Sequence, residues 1–219
     1  KEGKYTGNPD AHKTTKAGLK ADVIWDMKMD APYMVFKGTQ LKGKTLGILG
    51  YGSIGKRVGK IARAFGMSLL IYDPYQGEVD IEEIGIRKVE TVDELMKESD
   101  FVTCHMKVTP ETTGIISKER IAMMKPTAYF INASRGAILD EQALVDALRE
   151  KRIAGAAFDV YASEPIASNH PYITELDNVV ITPHIAGATD DVLVNHTKQI
   201  VADVKRFLNG EHLLYQYRY

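Results

Sequence analysis

Short apolar segments alternate with amphipathic stretches from Thr45 to the end of the chain. The apolar segments have the length and composition of buried strands, and the stretches between them have helical periodicity. This alternation is typical of a parallel sheet with helices on both faces. Because parallel crossovers are right-handed, the pattern predicts a doubly wound, mostly parallel α/β fold of the Rossmann type. The predicted strands, about seven in all, lie at 45–50, 68–73, 86–90, 100–106, 128–134, 153–160 and 178–184.

Residues that favour helix boundaries lie where the helices are expected. Thr91 and Glu94 have the spacing of a capping box, and Ser117 opens a short helix. The first predicted helix, which follows the first strand, carries apolar residues on one face: Ile54, Val58, Ile61, Ala62 and Phe65. The last predicted helix runs from Asp190 to Asn209, ends at Gly210 and carries a stripe that must pack on another surface: Leu193, Thr197, Ile200, Val201, Val204 and Leu208.

Composition argues against several classes of function. The 219 residues have a formal net charge of −1, so no broad field for nucleic acid or an anionic membrane is expected. No apolar run reaches the roughly 20 residues of a membrane span, and no leader opens the chain, which favours a cytoplasmic protein. The single cysteine, Cys104, lies in an apolar run and is expected to be a buried thiol. It can form neither an internal disulfide nor a multi-cysteine site, and we expect no metal.

A Gly-x-Gly-x-x-Gly motif lies where the first strand ends and the first helix begins. Gly50 permits a tight turn, Gly52 lets a pyrophosphate approach the backbone, and Gly55 lets the helix pack closely on the strand. The N-terminus of the helix adds N–H groups and positive potential. We therefore predict that Gly50, Gly52, Ser53, Ile54 and Gly55 bind a dinucleotide; the alternative is a glycine-rich turn without a ligand.

Asp73 ends the second predicted strand, 18 residues beyond Gly55. A carboxylate at this place can accept hydrogen bonds from the adenosine ribose and repels a 2′-phosphate, so NAD is favoured over NADP. Thr109, in the loop after the fourth strand, is a further but weaker candidate for contact with the cofactor.

Three polar side chains follow the carboxyl ends of later strands. They are Arg135 in NASRG, Glu164 in DVYASEP and His184 in TPHIAG. Taken singly, each has an ordinary structural explanation: a solvated charge, a turn residue and a structural histidine. Because the carboxyl ends of parallel strands meet at one edge, however, all of them are expected to face the same crevice.

These motifs, in this order after GYGSIG and Asp73, resemble the signatures of the D-isomer-specific 2-hydroxyacid dehydrogenases, and the resemblance runs from about Lys42 to Gly210. It implies hydride transfer between NAD and a small D-2-hydroxy or 2-oxo acid. His184 would be the general acid/base, Glu164 would orient its ring and favour its protonated form, and Arg135 would bind the substrate carboxylate.

The resemblance also implies contacts at the nicotinamide end of the cofactor. Asp159 would lie near the nicotinamide or its ribose, and Ala133, Gly187, Arg135 and His184 would line the same region. Family members form homodimers through this domain, so a homodimer is expected. The chain has His105-Met106-Lys107 where relatives often have His-x-Pro. Lys107 is either a solvent-facing charge or a contact for a substrate with a second acidic or polyhydroxylated end.

The length leaves no room for the domain that forms the second wall of the cleft in this family. We expect residues 1–42 to be the end of a linking helix plus a surface or dimerisation arm, 43–189 the NAD-binding domain, and 190–219 a helix and tail of the substrate domain or its interface. Such a fragment would bind NAD but turn over 2-oxo acids poorly. The alternatives are an NAD-sensing interaction module of the co-repressor type and another Rossmann enzyme, such as a methyltransferase or formate dehydrogenase.

Overall fold

The computed structural model describes residues 37–76 and 85–215. The chain divides into two compact units, Lys1–Leu41 and Lys42–Tyr219. The second unit contains the seven predicted strands and the helices predicted between and after them. Most of the segment 1–42, with the predicted end of a linking helix and the predicted arm, lies outside the described residues.

The second unit alternates strands with helices. Its strands are β1 (Thr45–Leu49), β2 (Ser68–Tyr72), β3 (Ile86–Lys88), β4 (Phe101–Cys104), β5 (Tyr129–Asn132), β6 (Gly155–Phe158) and β7 (Val179–Ile181). Its helices are α1 (Ser53–Ala64), α2 (Val92–Glu98), α3 (Lys118–Ala122), α4 (Glu141–Arg149), α5 (Pro171–Thr174) and α6 (Val192–Leu208), with a 3₁₀ turn at Gly136–Ile138.

The strands form one seven-stranded sheet in the order β3-β2-β1-β4-β5-β6-β7. Every pairing in it is parallel. The order reverses at β1, where the chain returns from β3 to start the second half at β4. The predicted doubly wound Rossmann-type fold is therefore confirmed, and its carboxyl edge is the expected place for a ligand.

The two faces of the sheet differ. One face, here called the core face, packs against α2, α3, α4 and α5, and it holds the main hydrophobic cluster around Val102, Phe130 and Phe158. Tyr172 of α5 stacks on Phe158 with ring centroids 4.4 Å apart. The opposite face, here called the α1 face, is fully buried at Ile48 of β1 and Ile71 of β2, where α1 contacts both strands.

Helix α1 packs through small residues rather than through the apolar face expected from its sequence. Gly55, Gly59 and Ala62 are its buried positions. Of the apolar residues that share one face of this helix in the sequence, Ala62 is buried, but Ile54 and Phe65 are more than half exposed. The physical reason is distance: a Cβ atom at Gly55 would overlap the carbonyl oxygen of Gly50, so the helix lies too close to the sheet for larger side chains.

The predicted helix boundaries hold where a side-chain cap marks them. The Thr91 hydroxyl accepts a hydrogen bond from the Glu94 amide at 3.2 Å. Ser117 caps α3, and Cys104 is fully buried as expected.

Helix α6 has the expected limits but not the expected burial. It runs from Val192 to Leu208 and is followed by Gly210 with φ +70°. None of its residues is buried, and its apolar stripe is exposed along its length. Among the helices of the described residues, none is long and apolar enough to cross a membrane.

Close packing at Gly55 gives a test of the fold. Gly55→Ala should lower the free energy of unfolding by roughly 1–3 kcal/mol, because the added methyl group forces α1 away from β1. Gly52→Ala is the matched control: a Cβ there meets nothing within 4 Å, so the loss should stay below about 1 kcal/mol. Denaturant unfolding measures both, and equal stabilities of the two variants would contradict this account of α1.

Candidate functional site at the carboxyl edge of the sheet

The turn after β1 lies at the centre of the carboxyl edge. Gly50 has φ +88°, a left-handed conformation that favours glycine. A Cβ atom there would lie 2.9 Å from backbone atoms of His105 and Met106, so the loop after β4 lies directly against this turn. The backbone geometry of β1 and the neighbouring strand β4 therefore requires glycine at this position.

The N-terminus of α1 is open to solvent beyond that turn. Gly52, Ser53 and Ile54 are exposed, and Gly52 provides no side-chain cap for the helix. The first amides of a helix have no partner within it, and the helix dipole makes this end positive. These residues fit the phosphates of a dinucleotide, since a Cβ atom at Gly52 would meet nothing within 4 Å and the first amides of the helix have no partner within it.

Asp73 follows β2 and is buried beside the same turn. Its Oδ2 accepts a hydrogen bond from the Tyr51 amide at 2.8 Å, and its Oδ1 accepts one from the Tyr75 amide at 2.9 Å. Each carboxylate oxygen has a second lone pair, so the group can hold the glycine turn and still accept ribose hydroxyls. Sequence reasoning anticipated only the second of these roles.

The loop after β4 is stabilised by its own threonines. The Thr112 hydroxyl accepts from the Thr109 amide at 2.8 Å and donates to the Lys107 carbonyl at 2.6 Å. The backbone amide of Thr109 is thus engaged within the loop, and the predicted contact of Thr109 with a cofactor stays a prediction. The side chain of Lys107 is exposed. Burial lowers the pKa of the neighbouring His105, which keeps that ring neutral.

Arg135 lies in a turn built by a buried amide that sequence reasoning missed. The Asn132 side chain accepts from the Ser134 amide and hydroxyl, both at 3.0 Å, and donates to the Arg135 carbonyl at 3.0 Å. Because Asn132 and Ser134 are buried, the alternate residues Ala133 and Arg135 face outward. The signal was present in the sequence, since asparagine commonly bonds to the backbone of a following turn.

Glu164 and His184 come together from neighbouring strands. His184 Nδ1 lies 2.6 Å from Glu164 Oε2, and Glu164 Oε1 accepts from the Tyr161 amide at 3.1 Å. These hydrogen bonds, with a smaller effect of the positive charge of Arg135, hold the pKa of Glu164 below its ordinary value. All of the sequence-predicted catalytic side chains therefore lie at one edge of β5, β6 and β7.

Asp159 fixes the turn that presents His184. Its Oδ1 accepts from the Thr182 hydroxyl at 2.5 Å and the Ile185 amide at 2.8 Å, and its Oδ2 accepts from the Ala186 amide at 2.8 Å. His184 lies inside this turn in a left-handed conformation with φ 56°. Such a conformation is uncommon outside glycine and needs support from its surroundings.

The electrostatics of Asp159 agree with this supporting role. Burial alone would raise its pKa, but the hydrogen bonds from Thr182, Ala186 and Ile185, with the charge of His184, outweigh burial and lower the pKa. Its predicted place beside the nicotinamide stays a prediction. Gly187, just beyond the turn, is exposed with open space where a Cβ would project.

No group of three or more metal-ligating side chains occurs in the part of the chain that the structure describes. The described groups at this edge include the hydrogen-bonded pair of His184 and Glu164, the guanidinium of Arg135 and the N-terminus of α1.

Comparison with known proteins identifies the domain. The family model of the NAD-binding domain of D-isomer specific 2-hydroxyacid dehydrogenases matches residues 13–186. The chain belongs to this family. It is 43% identical over 187 residues to D-3-phosphoglycerate dehydrogenase of Methanocaldococcus jannaschii, covering 85% of this chain and 34% of that one. It is 41% identical over 204 residues to glyoxylate reductase of Thermofilum pendens, covering 90% and 59%.

A solved structure agrees with the fold of this 2-hydroxyacid dehydrogenase domain. The D-isomer specific 2-hydroxyacid dehydrogenase of Xanthobacter autotrophicus, in complex with NADPH, aligns with a TM-score of 0.73 and 29% identity, covering 83% of this chain and 74% of that one. The chain thus spans between a third and three-fifths of the length of the two curated relatives above.

The hydrogen bonds that Asp159 accepts from Thr182, Ile185 and Ala186 give a second prediction. Asp159→Asn leaves one acceptor oxygen where the carboxylate offers two, so at least one of the bonds to Thr182, Ile185 and Ala186 is lost. The free energy of unfolding should fall by roughly 2 kcal/mol near neutral pH. Because the pKa of Asp159 is lowered in the folded protein, its contribution is present above its ordinary pKa and is lost as the pH falls through the lowered value.

Denaturant unfolding at neutral and acidic pH measures this effect, and the difference between the wild-type protein and the variant should shrink in acid. Asp177→Asn, at an exposed position outside the turn, is the control and should leave the stability unchanged. A loss that is equal at all pH values would mean that the charge of Asp159 does not hold the turn.

Proposed function

We propose that this chain is the cofactor-binding part of an oxidoreductase that transfers a hydride between NAD and a D-2-hydroxy acid, or its 2-oxo acid. The observation that carries the proposal is the 2.6 Å contact between His184 Nδ1 and Glu164 Oε2 at the edge where the helix α1 N-terminus also opens. A pure NAD sensor has no use for a proton donor, and this pair disfavours the co-repressor alternative.

His184 is proposed as the general acid/base. The ionised carboxylate of Glu164 can only accept, so the hydrogen of their contact belongs to Nδ1. The other ring nitrogen, Nε2, is then the atom that gives a proton to a carbonyl oxygen or removes one from a hydroxyl. Glu164 fixes the orientation of the ring, and the hydrogen bonds of Asp159 fix the turn that contains His184.

Arg135 is proposed to bind the substrate carboxylate. Its guanidinium is exposed at the same edge, and it lies close enough to affect the pKa of Glu164. A planar guanidinium can form two parallel hydrogen bonds with a carboxylate, which orients the neighbouring carbonyl toward His184. Any 2-hydroxy or 2-oxo acid offers these groups, which agrees with the phosphoglycerate and glyoxylate enzymes among the relatives.

The cofactor supplies and accepts the hydride when it is bound. The chain's own part is to bind the cofactor. The first amides of α1, beyond Gly52, would contact the phosphates, and Asp73 would contact the adenosine ribose. Because a carboxylate at this place would repel a 2′-phosphate on the adenosine ribose, we propose a preference for NAD over NADP, although the Xanthobacter relative was solved with NADPH.

This preference predicts the effect of removing one charge. Asp73→Asn should lower the dissociation constant of NADP relative to that of NAD about fivefold. The reason is that a repulsion of about 1 kcal/mol between the carboxylate and the 2′-phosphate is removed, so NADP binds more tightly. Isothermal titration calorimetry with each dinucleotide measures it. Glu90→Gln, which removes an exposed charge elsewhere, is the control. An unchanged ratio would show that Asp73 serves only the turn at Tyr51.

The catalytic proposal is tested with the complete gene product. Glu164→Gln should lower kcat/KM for 2-oxo acid reduction by about tenfold or more, since the ring loses its charged partner. The pH above which reduction fails should also move to lower pH. Glu164 stays ionised until the pH falls through its lowered pKa, so the comparison belongs between about pH 6 and 9.

Glu175→Gln removes a carboxylate that pairs with Arg149 on the surface, and it should change neither the rate nor the pH profile. Loss of rate in Glu164→Gln without a shift of the profile would reduce Glu164 to a structural residue. A full rate and an unmoved profile would reject the proposed proton transfer altogether.

The organisation of the whole protein stays a proposal. The unburied helix α6 supports the prediction that residues 190–219 belong to the substrate domain or its interface. The exposed side chains of Ile54, Ile61 and Phe65 on α1 offer an apolar surface for the proposed homodimer. We expect this chain alone to bind NAD and to turn over 2-oxo acids poorly, and we keep the cytoplasm as its proposed location.

A further inference from the structure

One buried tyrosine, Tyr161, lies where the turns of the proposed catalytic site meet. It belongs to the motif DVYASEP, and only 6% of its surface is exposed. The turn of Arg135 comes so close that a Cβ atom at Gly136 would overlap the Tyr161 carbonyl group. Hydrogen bonds connect Tyr161 to the turns of Glu164 and His184. A single buried residue therefore contacts all of the turns that carry the proposed catalytic side chains.

The hydrogen bonds of Tyr161 hold both members of the pair formed by His184 and Glu164. Its amide donates to Glu164 Oε1 at 3.1 Å. Its hydroxyl donates to the Thr182 carbonyl at 2.7 Å, and the same carbonyl accepts the His184 amide at 3.0 Å. Together with the 2.6 Å contact between His184 Nδ1 and Glu164 Oε2, these bonds close a ring. The position of the imidazole relative to the carboxylate therefore depends on Tyr161.

The Tyr161 hydroxyl is suited to this task because it stays protonated. Burial, with smaller effects of the negative charges of Asp159 and Glu164, raises the pKa of Tyr161 above its ordinary value. The hydroxyl has one proton to donate, and the second carbonyl near it, that of Phe158, is farther away at 3.4 Å. The proton therefore belongs to the bond with Thr182.

The pair needs such anchors because packing does not hold its own side chains. Those of His184 and Glu164 are 46% and 35% exposed. A catalytic contact nevertheless has to be held to within about 0.5 Å. Asp159 binds the amides that follow His184, whereas Tyr161 binds the Thr182 carbonyl that precedes it. The two anchors thus act on opposite sides of His184.

We propose that Tyr161 is a positioning residue of the pair formed by His184 and Glu164. Its hydroxyl acts through the Thr182 carbonyl and holds the backbone of His184 at the distance at which Nδ1 shares its hydrogen with Glu164. The catalytic consequence rests on the proposed function, whereas the geometry of the pair can be measured without turnover.

Removal of the hydroxyl tests this role. Tyr161→Phe keeps the buried ring, and Tyr172→Phe is the matched control, because Tyr172 is also buried and its hydroxyl has no hydrogen-bond partner among the described residues. The first readout is the ¹⁵N chemical shift of His184 Nδ1 in this chain, measured through the carbon-bound ring protons at about pH 9, where an imidazole is neutral. This shift reports how often Nδ1, rather than Nε2, carries the ring hydrogen. We expect Tyr161→Phe to move it toward the value of an unprotonated nitrogen and Tyr172→Phe to leave it unchanged.

The second readout is the rate of 2-oxo acid reduction by the complete polypeptide encoded by the gene. Tyr161→Phe should lower kcat about threefold to tenfold, less than the roughly 10²-fold cost of a 1 Å misplacement, because the bonds of Asp159 remain. KM should stay nearly constant, since Arg135 is untouched. The pH above which reduction fails should move to lower pH, since a loosened carboxylate favours the protonated ring less. Tyr172→Phe should change none of these quantities.

An unchanged Nδ1 shift in Tyr161→Phe would overturn the proposal. Equal effects of the two variants would also overturn it, since they would follow from the loss of a buried hydroxyl rather than from the loss of the bond to Thr182. A moved Nδ1 shift with a full rate would support the positioning role and would instead reject the proposed proton transfer by His184. The two readouts thus separate the positioning of the pair from its use in catalysis.

Discussion

The parallel register of the seven strands is the constraint on which the rest of the site depends. Because every pairing is parallel, all strands end at one edge, and the residues that follow them share one crevice. Arg135, Glu164 and His184 are far apart in sequence, and they follow the neighbouring strands β5, β6 and β7. No local sequence preference could bring them together; the register does so at no further cost in backbone freedom.

A second constraint acts on the turns themselves. Each of three turns is held by a buried side chain at the end of a strand: Asp73 after β2, Asn132 at the end of β5 and Asp159 after β6. Their oxygens accept backbone N–H groups, which would otherwise be costly to bury without partners. The residues between these anchors are then free to face the crevice. Positions and directions of the outward side chains thus follow from polar residues that are themselves buried.

These anchors also explain where sequence reasoning succeeded and where it stopped. The strands were predictable because fully buried parallel strands are continuous apolar runs, and the motif at Gly50 was predictable because its glycines have separate steric tasks. Asn132 and the second role of Asp73 were not, since a side chain that bonds to a distant amide leaves no periodic signal. The amide of Tyr51, for example, lies 22 residues before Asp73.

Helix α1 shows why an apolar pattern alone does not identify a buried face. On α1 the larger apolar residues, such as Ile61 and Phe65, are exposed, and glycines make the contact with the sheet. Glycine and alanine bring a partner's backbone close, so a strip of small residues implies a close partner as strongly as a strip of large ones. For β1 that partner is α1.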